Sequence, residues 1–448
     1  MKSLRTLLAL LLCALLFVGA AAPALAAGPK PYLTDVRIGE VTVSLRAYSD
    51  SYAGNLFLCL TDLAQALRGT EKQFTVDYQS SAADGEIWKI TTGRAAASKT
   101  IENYNSSPAI SYLSLNRNRV FVDGSERRYY TYRSDDRDLY FSLADVQLLL
   151  DLTARFDSAG VLMLDPDRPF LPDLWELKAE DYFGAFNAVL VGDADTGEVY
   201  FSNNRAWRYP IASLSKLMSY LLLAEAVDAG ELSWEDEVTV SQKAAMLSWS
   251  ADGIIKLDPG ASFPMLELTQ AMMLASSNEC ALALAEHALG SEEAFVSRMN
   301  ERAGELGLLS ARFYSPHGLP SYSGGGLPGK RQNAMSAMDL FRLSAYLLER
   351  CPELTDMTGK QFIHLEKLGF TTANSNPLVF NLPGVNGLKT GSTNRAGYCV
   401  VTTLPVTVGG ETHTIVAVVL GAETAELRGQ GAEILLRCAK DHYEKDGF

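Results

Sequence analysis

Cysteine and histidine are sparse in this sequence, and neither is grouped. Six cysteines and five histidines are spread over 448 residues, with no C-x-x-C pair and no H-E-x-x-H. That spacing excludes a zinc knuckle, offers no disulfide framework, and points to no metal and no cofactor. Positive charge is also in deficit: 39 basic residues face 53 acidic ones, a net of −14. An acidic surface repels phosphate backbones, so nucleic acid is not an expected partner. It also gives no electrostatic hold on anionic lipid, so membrane contact is peripheral at most. Long apolar runs are missing too, except for one at the start.

That run, MKSLRTLLALLLCALLFVGAAAPALA, has basic Lys2 and Arg5, an apolar stretch from Leu7 to Val18, and Ala24-Leu25-Ala26 at its end. The layout reads as a secretory signal peptide over residues 1–26, short for a membrane span, with a retained anchor as the alternative. Cys13 lacks the small residues expected before a lipidated cysteine. Without 1–26 the chain keeps 37 basic and 53 acidic residues, a net of −16, and an odd five cysteines: Cys59, Cys280, Cys351, Cys399 and Cys438. The expected location is extracytoplasmic: secreted, in the cell wall, or at the outer face of the cytoplasmic membrane.

A hydrophobic fraction of 47% over this length implies more than one globular domain. LDPDRPFLPD (164–173) carries prolines at 166, 169 and 172, a spacing that favours extended chain. The expected division is an N-terminal domain over 27–163, a linker over 164–178 and a second domain over 179–448. Within the first, NLFLCLTDLAQALRG (55–69) and DLYFSLADVQLLLDL (138–152) repeat at an offset of 83. In each copy an alternating apolar stretch runs into Thr61-Asp62 or Ala144-Asp145 and then takes a helical period, which predicts a strand feeding a short, polar-capped helix. The pattern is similar to the small stalk-like modules of secreted Gram-positive proteins, the copper amine oxidase N-terminal-like kind. That resemblance implies a spacer or wall-contact role, and no catalytic constellation is visible there.

The second region changes character. AFNAVLVGDADTGEVYFSNN (185–204) reads as a hairpin around Asp193–Gly197. SLSKLMSYLLLAEAVDAG predicts a buried helix stopping at Gly230, with further helices over 267–289, 291–307 and 336–350. Strands return at GLKTG, 397–406 and 413–422, before a last helix over 425–442. Strands at both ends with helices between predict an α+β domain: an antiparallel sheet joining the N- and C-terminal strands and faced by helices.

Three short motifs lie along this region. Ser213 and Lys216 in IASLSKLMSY are three apart, so on a helix they share a face. Ser276-Ser277-Asn278 interrupts an apolar helical segment, where polar side chains break or cap a helix and need hydrogen-bond partners. Lys389-Thr390-Gly391-Ser392-Thr393 opens a strand. Each alone is an ordinary helix start, helix junction or turn. Together, in the order S-x-x-K, S-x-N, K-T-G, they form the set shared by penicillin-binding proteins and class A β-lactamases. The segments YPIASLSKLMSYLLLAEA, MMLASSNECALALAE, FYSPHGLP, NSNPLV and GVNGLKTGSTNRAGYCVV closely resemble those of serine-type D-alanyl-D-alanine carboxypeptidases, the low-molecular-mass penicillin-binding proteins. The resemblance covers about residues 180–448.

The chemistry it implies needs these residue types. An alcohol attacks a peptide carbonyl only when a base takes its proton, and a lysine serves if burial keeps it neutral part of the time. Ser213 is the implied nucleophile and Lys216 its base. Ser276 relays the proton to the departing amine, and Asn278 holds the substrate amide and Lys216 in register. Lys389, Thr390 and Ser392 would receive the terminal carboxylate, and Gly391 would let substrate backbone lie along the strand edge. Backbone N–H groups of Ser213 and of Thr393 or its neighbour would form the oxyanion hole. The implied substrate is a peptidoglycan stem peptide ending in D-Ala-D-Ala, with β-lactams as covalent inhibitors.

His317 in SPHGLP invites a serine–histidine reading, but no G-x-S-x-G elbow or acid–histidine pattern supports a triad. Ser315 and the glycine-rich 320–335 stretch depart from the family pattern and bear on substrate preference. No Glu-x-x-x-Asn arrangement follows Ser276 to activate a deacylating water, which weighs against a β-lactamase. A wall transpeptidase or endopeptidase, and a non-catalytic wall-binding protein, stay open as alternatives. The last helix carries mixed charges around Ile434, Leu435 and Leu436, which predicts packing on the sheet.

Overall fold

The computed structural model describes residues 32–49, 56–82, 85–97, 114–116, 118–129, 131–134, 137–157, 160–170, 177, 183–322 and 330–446. The segment 1–26 lies outside them, as do residues 171–176 and 178 of the 164–178 stretch. Among the described residues no helix is long and apolar enough to cross a membrane.

Residues 32–165 build two sheets. In the larger one, β1 (Tyr32–Ile38) pairs antiparallel with β2 (Val41–Ser49), which leads to β3 (Leu56–Cys59) and α1 (Leu60–Ala66). The second copy of the sequence repeat supplies β4 (Leu139–Ser142) and α2 (Leu143–Leu150). The two copies meet: β4 pairs antiparallel with β3, Tyr140 opposite Cys59, so the repeat is also a spatial pair at the middle of an eight-stranded sheet. The polar cap differs between copies. Ser142 Oγ accepts from Asp145 N, whereas Cys59 makes no side-chain cap and Asp62 instead grips Arg46. β5 (Leu162–Asp165) pairs parallel with β1, so the proline-marked stretch begins inside this sheet and leaves it only after Asp165.

The second body is centred on a five-stranded antiparallel sheet. Its strands are β6 (Ala188–Asp193), β7 (Val199–Asn203), β8 (Gly387–Thr393), β9 (Gly397–Val408) and β10 (Glu411–Ala422), ordered β7-β6-β10-β9-β8. The central strands are buried on both faces, which is why they read as unbroken apolar runs. Alternation sorts them: Leu190, Val416, Val418 and Leu420 enter one core, while Val189, Ile415, Ala417 and Val419 enter the other. The first core holds α3 (Lys216–Asp228), α4 (Gln242–Ser248), α5 (Met265–Gln270), α6 (Asn278–Leu289), α7 (Glu292–Glu305) and α8 (Ala337–Arg350). The second is closed by α9 (Ala425–Asp446) through Leu435, Leu436 and Tyr443. The other side of α9 meets the N-terminal body: Gln430 Nε2 donates to Asp145 Oδ1 at 2.9 Å, and Arg437 Nη1 to Leu148 O at 2.9 Å.

Two predicted helices are broken where the motifs lie. The helix expected from Ser213 begins as a 3-10 turn, Ala212–Ser215, entered through Ala212 at φ 48°, and becomes α-helical only at Lys216. The 267–289 segment ends its first half in a π turn, Ala271–Ala275; Ser276 then turns left-handed at φ 63°, and Ser277 caps α6 by accepting from Cys280 N. The break expected from the polar residues of S-x-N falls at Ser276 and Ser277.

Strand β8 is fixed by NSNPLV. Asn376 Nδ2 donates to Gly387 O at 2.8 Å and to Thr402 Oγ1 at 3.2 Å, while its Oδ1 accepts from Leu378 N. Asn376 is buried, so Asn376→Ala strands its partners at an expected cost of about 1–3 kcal/mol. Thermal unfolding checks this: a clear fall in Tm is expected, and an unchanged Tm contradicts it.

Candidate active site

Four elements converge at the N-terminal end of α3. The 3-10 turn brings Ser213, the first residue of α3 is Lys216, α6 opens on Asn278, and the loop after α7 brings His317. Lys216 Nζ lies 2.9 Å from Ser213 Oγ, 2.7 Å from Asn278 Oδ1 and 2.8 Å from the backbone carbonyl of His317. Asn278 is anchored in turn, its Nδ2 donating to Asp252 O at 2.9 Å. Lys216 is fully buried, and burial together with the Lys389 ammonium holds its amine well below the usual lysine range. A neutral amine has two N–H donors and one lone pair. The two carbonyl oxygens take the donors, which leaves the lone pair for the Ser213 hydroxyl.

Lys389 is 1% exposed, and burial pushes its amine down to about 7, helped by Arg428. Its Nζ donates to Thr390 O at 3.1 Å, and Thr390 Oγ1 donates to Ser375 Oγ at 2.7 Å. Ser392 is exposed and lines, with Thr393, His317, Asp252 and Gln332, a cleft of about 1190 Å³. Ser276 is half-buried on its left-handed turn. The structure therefore joins Ser213, Lys216 and Asn278 by direct contact. Lys389 reaches Lys216 through its charge, and Ser392 faces the open cleft.

Gly391 has a nearer neighbour than substrate. A Cβ there would lie 2.8 Å from Ser213 N and 3.1 Å from Leu214 N, so its bare Cα lets β8 close against the Ser213 turn. Gly318, at φ +90°, sits closer still: a Cβ would fall 2.0 Å from Ala212 O. The His317 ring takes no part beside Ser213. Its Nδ1 accepts from Leu319 N, and burial, with Lys216 and Lys243, pulls it down to about 3, so it stays neutral. What sequence reading missed is mostly backbone roles, the carbonyls of Asp252 and His317, together with Ser375 and the turn-setting Gly318.

Burial of Lys389 has a signed consequence for stability. With a native value of about 7 against an ordinary 10.5, the cost is absent above about pH 10.5, grows as pH falls towards 7, and is constant below. Lys389→Met is expected to raise Tm over the wild type at pH 7 and to lose that advantage as pH approaches 10.5. A Tm difference independent of pH contradicts it.

Comparison with known proteins gives a consistent picture. The family described as D-alanyl-D-alanine carboxypeptidase (peptidase S11) matches residues 178–424. The chain is 35% identical over 263 residues to D-alanyl-D-alanine carboxypeptidase DacF of Bacillus subtilis, covering 58% of this chain and 63% of that protein. It is 32% identical over 259 residues to DacC of Escherichia coli, covering 56% of this chain and 60% of that one. It thus spans less than two thirds of the length of these curated relatives. Among solved structures it resembles a peptidoglycan synthesis regulatory factor (PBP3) from Streptococcus pneumoniae, with 25% identity and a TM-score of 0.52 over 57% of this chain and 73% of that one.

Proposed function

The chain belongs to the D-alanyl-D-alanine carboxypeptidase (peptidase S11) family, and from that premise we propose that it is a serine hydrolase removing the terminal D-alanine from peptidoglycan stem pentapeptides outside the cytoplasmic membrane. The observation that carries this reading is the buried Lys216 amine, held by two carbonyls and 2.9 Å from Ser213 Oγ. The neutral amine takes the hydroxyl proton as Ser213 Oγ bonds to the carbonyl carbon of the penultimate D-alanine. The tetrahedral oxyanion is received by backbone N–H groups at Ser213 and Thr393. The C–N bond then breaks as the Lys216 proton passes through Ser276 to the leaving D-alanine amine; the free amine of Lys216 next deprotonates water, which attacks the acyl carbon, and the proton returns to Ser213 Oγ as the acyl group leaves. Lys389 supplies positive charge for the terminal carboxylate when protonated, and the exposed Ser392 adds a hydroxyl at the cleft. The S-x-N and K-T-G residues act as their family resemblance implies.

A β-lactam presents a similar carbonyl, but its amine stays tethered after ring opening. With no Glu-x-x-x-Asn arrangement after Ser276 to activate water, the acyl-enzyme is expected to persist. Fluorescent penicillin should label the full chain on Ser213, and purified protein should release D-alanine from a pentapeptide. Ser213→Ala should abolish both. Rapid turnover of a chromogenic cephalosporin, or labelling without D-alanine release, overturns the carboxypeptidase reading.

Gly391→Ala tests the contact between β8 and the nucleophile turn. The backbone at Ser213 must shift by a few tenths of an ångström, so penicillin acylation is expected to fall roughly ten- to a hundredfold with far-UV circular dichroism unchanged. Acylation at the wild-type rate contradicts this.

A further inference from the structure

Glu279, the residue after Asn278, is wholly buried at the start of α6. Its Oε1 accepts from Ile254 N at 3.0 Å and Ile255 N at 2.5 Å, and its Oε2 has no hydrogen-bond partner among the described residues. The loop it grips, between α4 and α5, is tied at two further points. Lys256 Nζ donates to Ser248 O at 2.8 Å, and Ser248 Oγ accepts from Leu257 N at 3.0 Å. The same loop offers the Asp252 carbonyl that holds Asn278 Nδ2. A chain of contacts thus runs from Glu279 through Ile254–Ile255 and Asp252 to Asn278, and from there to Lys216 Nζ.

A buried carboxylate with one oxygen unpartnered costs stability, and a glutamine could accept the same two N–H bonds without the charge. The charge itself therefore calls for a reason. Resting on the serine–lysine reading above, we propose that Glu279 is a positioning residue for the base: it anchors the 252–255 loop that orients Asn278, and its negative charge counterbalances Lys389 at the Lys216 amine. Lys389 on β8 disfavours the protonated form of Lys216, and Glu279 on α6 favours it. The other titratable groups facing Lys216 are Cys280 on α6, whose thiol burial pushes up, and His317 on the loop after α7, which is neutral. Between them the two charges keep Lys216 basic enough to accept the Ser213 proton yet able to exist as the free amine.

The test separates anchor from charge. Glu279→Gln keeps an oxygen for the two N–H bonds and removes the charge, whereas Glu279→Ala removes both. The readouts are the second-order rate of penicillin acylation of the full chain from pH 5 to 9 and hydrogen exchange of residues 252–257. For Glu279→Gln the acid limb should move to lower pH, with acylation at pH 6 roughly three- to tenfold faster than wild type and no faster at pH 9. Its loop protection should stay as in the wild type. For Glu279→Ala, exchange at 254–255 should rise and acylation fall about tenfold or more across the range. Both proteins in the Glu279→Gln comparison carry Lys389, so its own titration is common to them. An acid limb unmoved in Glu279→Gln overturns the inference while leaving the serine–lysine reading intact. A wild type that penicillin does not acylate overturns that reading, and this inference with it.

Discussion

A lysine ammonium taken out of water loses several kcal/mol of solvation unless charge or hydrogen bonds replace it. At Lys216 the surroundings compensate incompletely: two carbonyl oxygens accept hydrogen bonds, and Lys389 adds like charge. The neutral amine becomes accessible, and the site depends on that. Other features serve to keep Nζ in this place: the 3-10 turn that sets Ser213 against it, the break before α6 that frees Asn278, and the closely packed Gly391 and Gly318 that bring β8 and the His317 loop onto the turn.

The five-stranded sheet is the platform for this arrangement. Its strands are apolar on both faces because helices cover one side and α9 the other. Only an edge strand has a free side to offer, and K-T-G lies on β8, one of the two edges. Asn376 of NSNPLV bonds both that edge strand, at Gly387 O, and its neighbour β9, at Thr402 Oγ1, so a residue outside the Ser213–Lys216 cluster helps set where Lys389 stands. Helix α9 also ties this body to the N-terminal one through Gln430 and Arg437. The same helix therefore closes the second core and receives the repeat-bearing module.

Much of this was legible in the residues. Alternating apolar residues marked the two repeat strands, turn residues marked the β6–β7 hairpin, and a helical period with polar interruptions marked α6 and the break before it. The 83-residue offset marked two strand–helix units, though not that they would pair with each other. Boundaries at Ser213 were less legible: Ala212 in a left-handed conformation and the 3-10 entry to α3 lie packed against Gly318 and Gly391, which no local pattern encodes. The space at Gly391 was read as room for substrate; the structure gives it a nearer use, beside Ser213 N.

The sequence by itself determined the chemical types and their order: a serine and lysine one turn apart, a serine–asparagine pair at a helix break, and a lysine–threonine–glycine strand, all within an α+β pattern. Tertiary structure decided what makes them a site. The partners of the Lys216 amine include the carbonyl of His317, that of Asn278 is the carbonyl of Asp252, and Glu279 works on backbone N–H groups. Peptide groups are the same at every residue, so their roles leave no mark in the sequence. Only the fold, by excluding water and aiming them, gives them one.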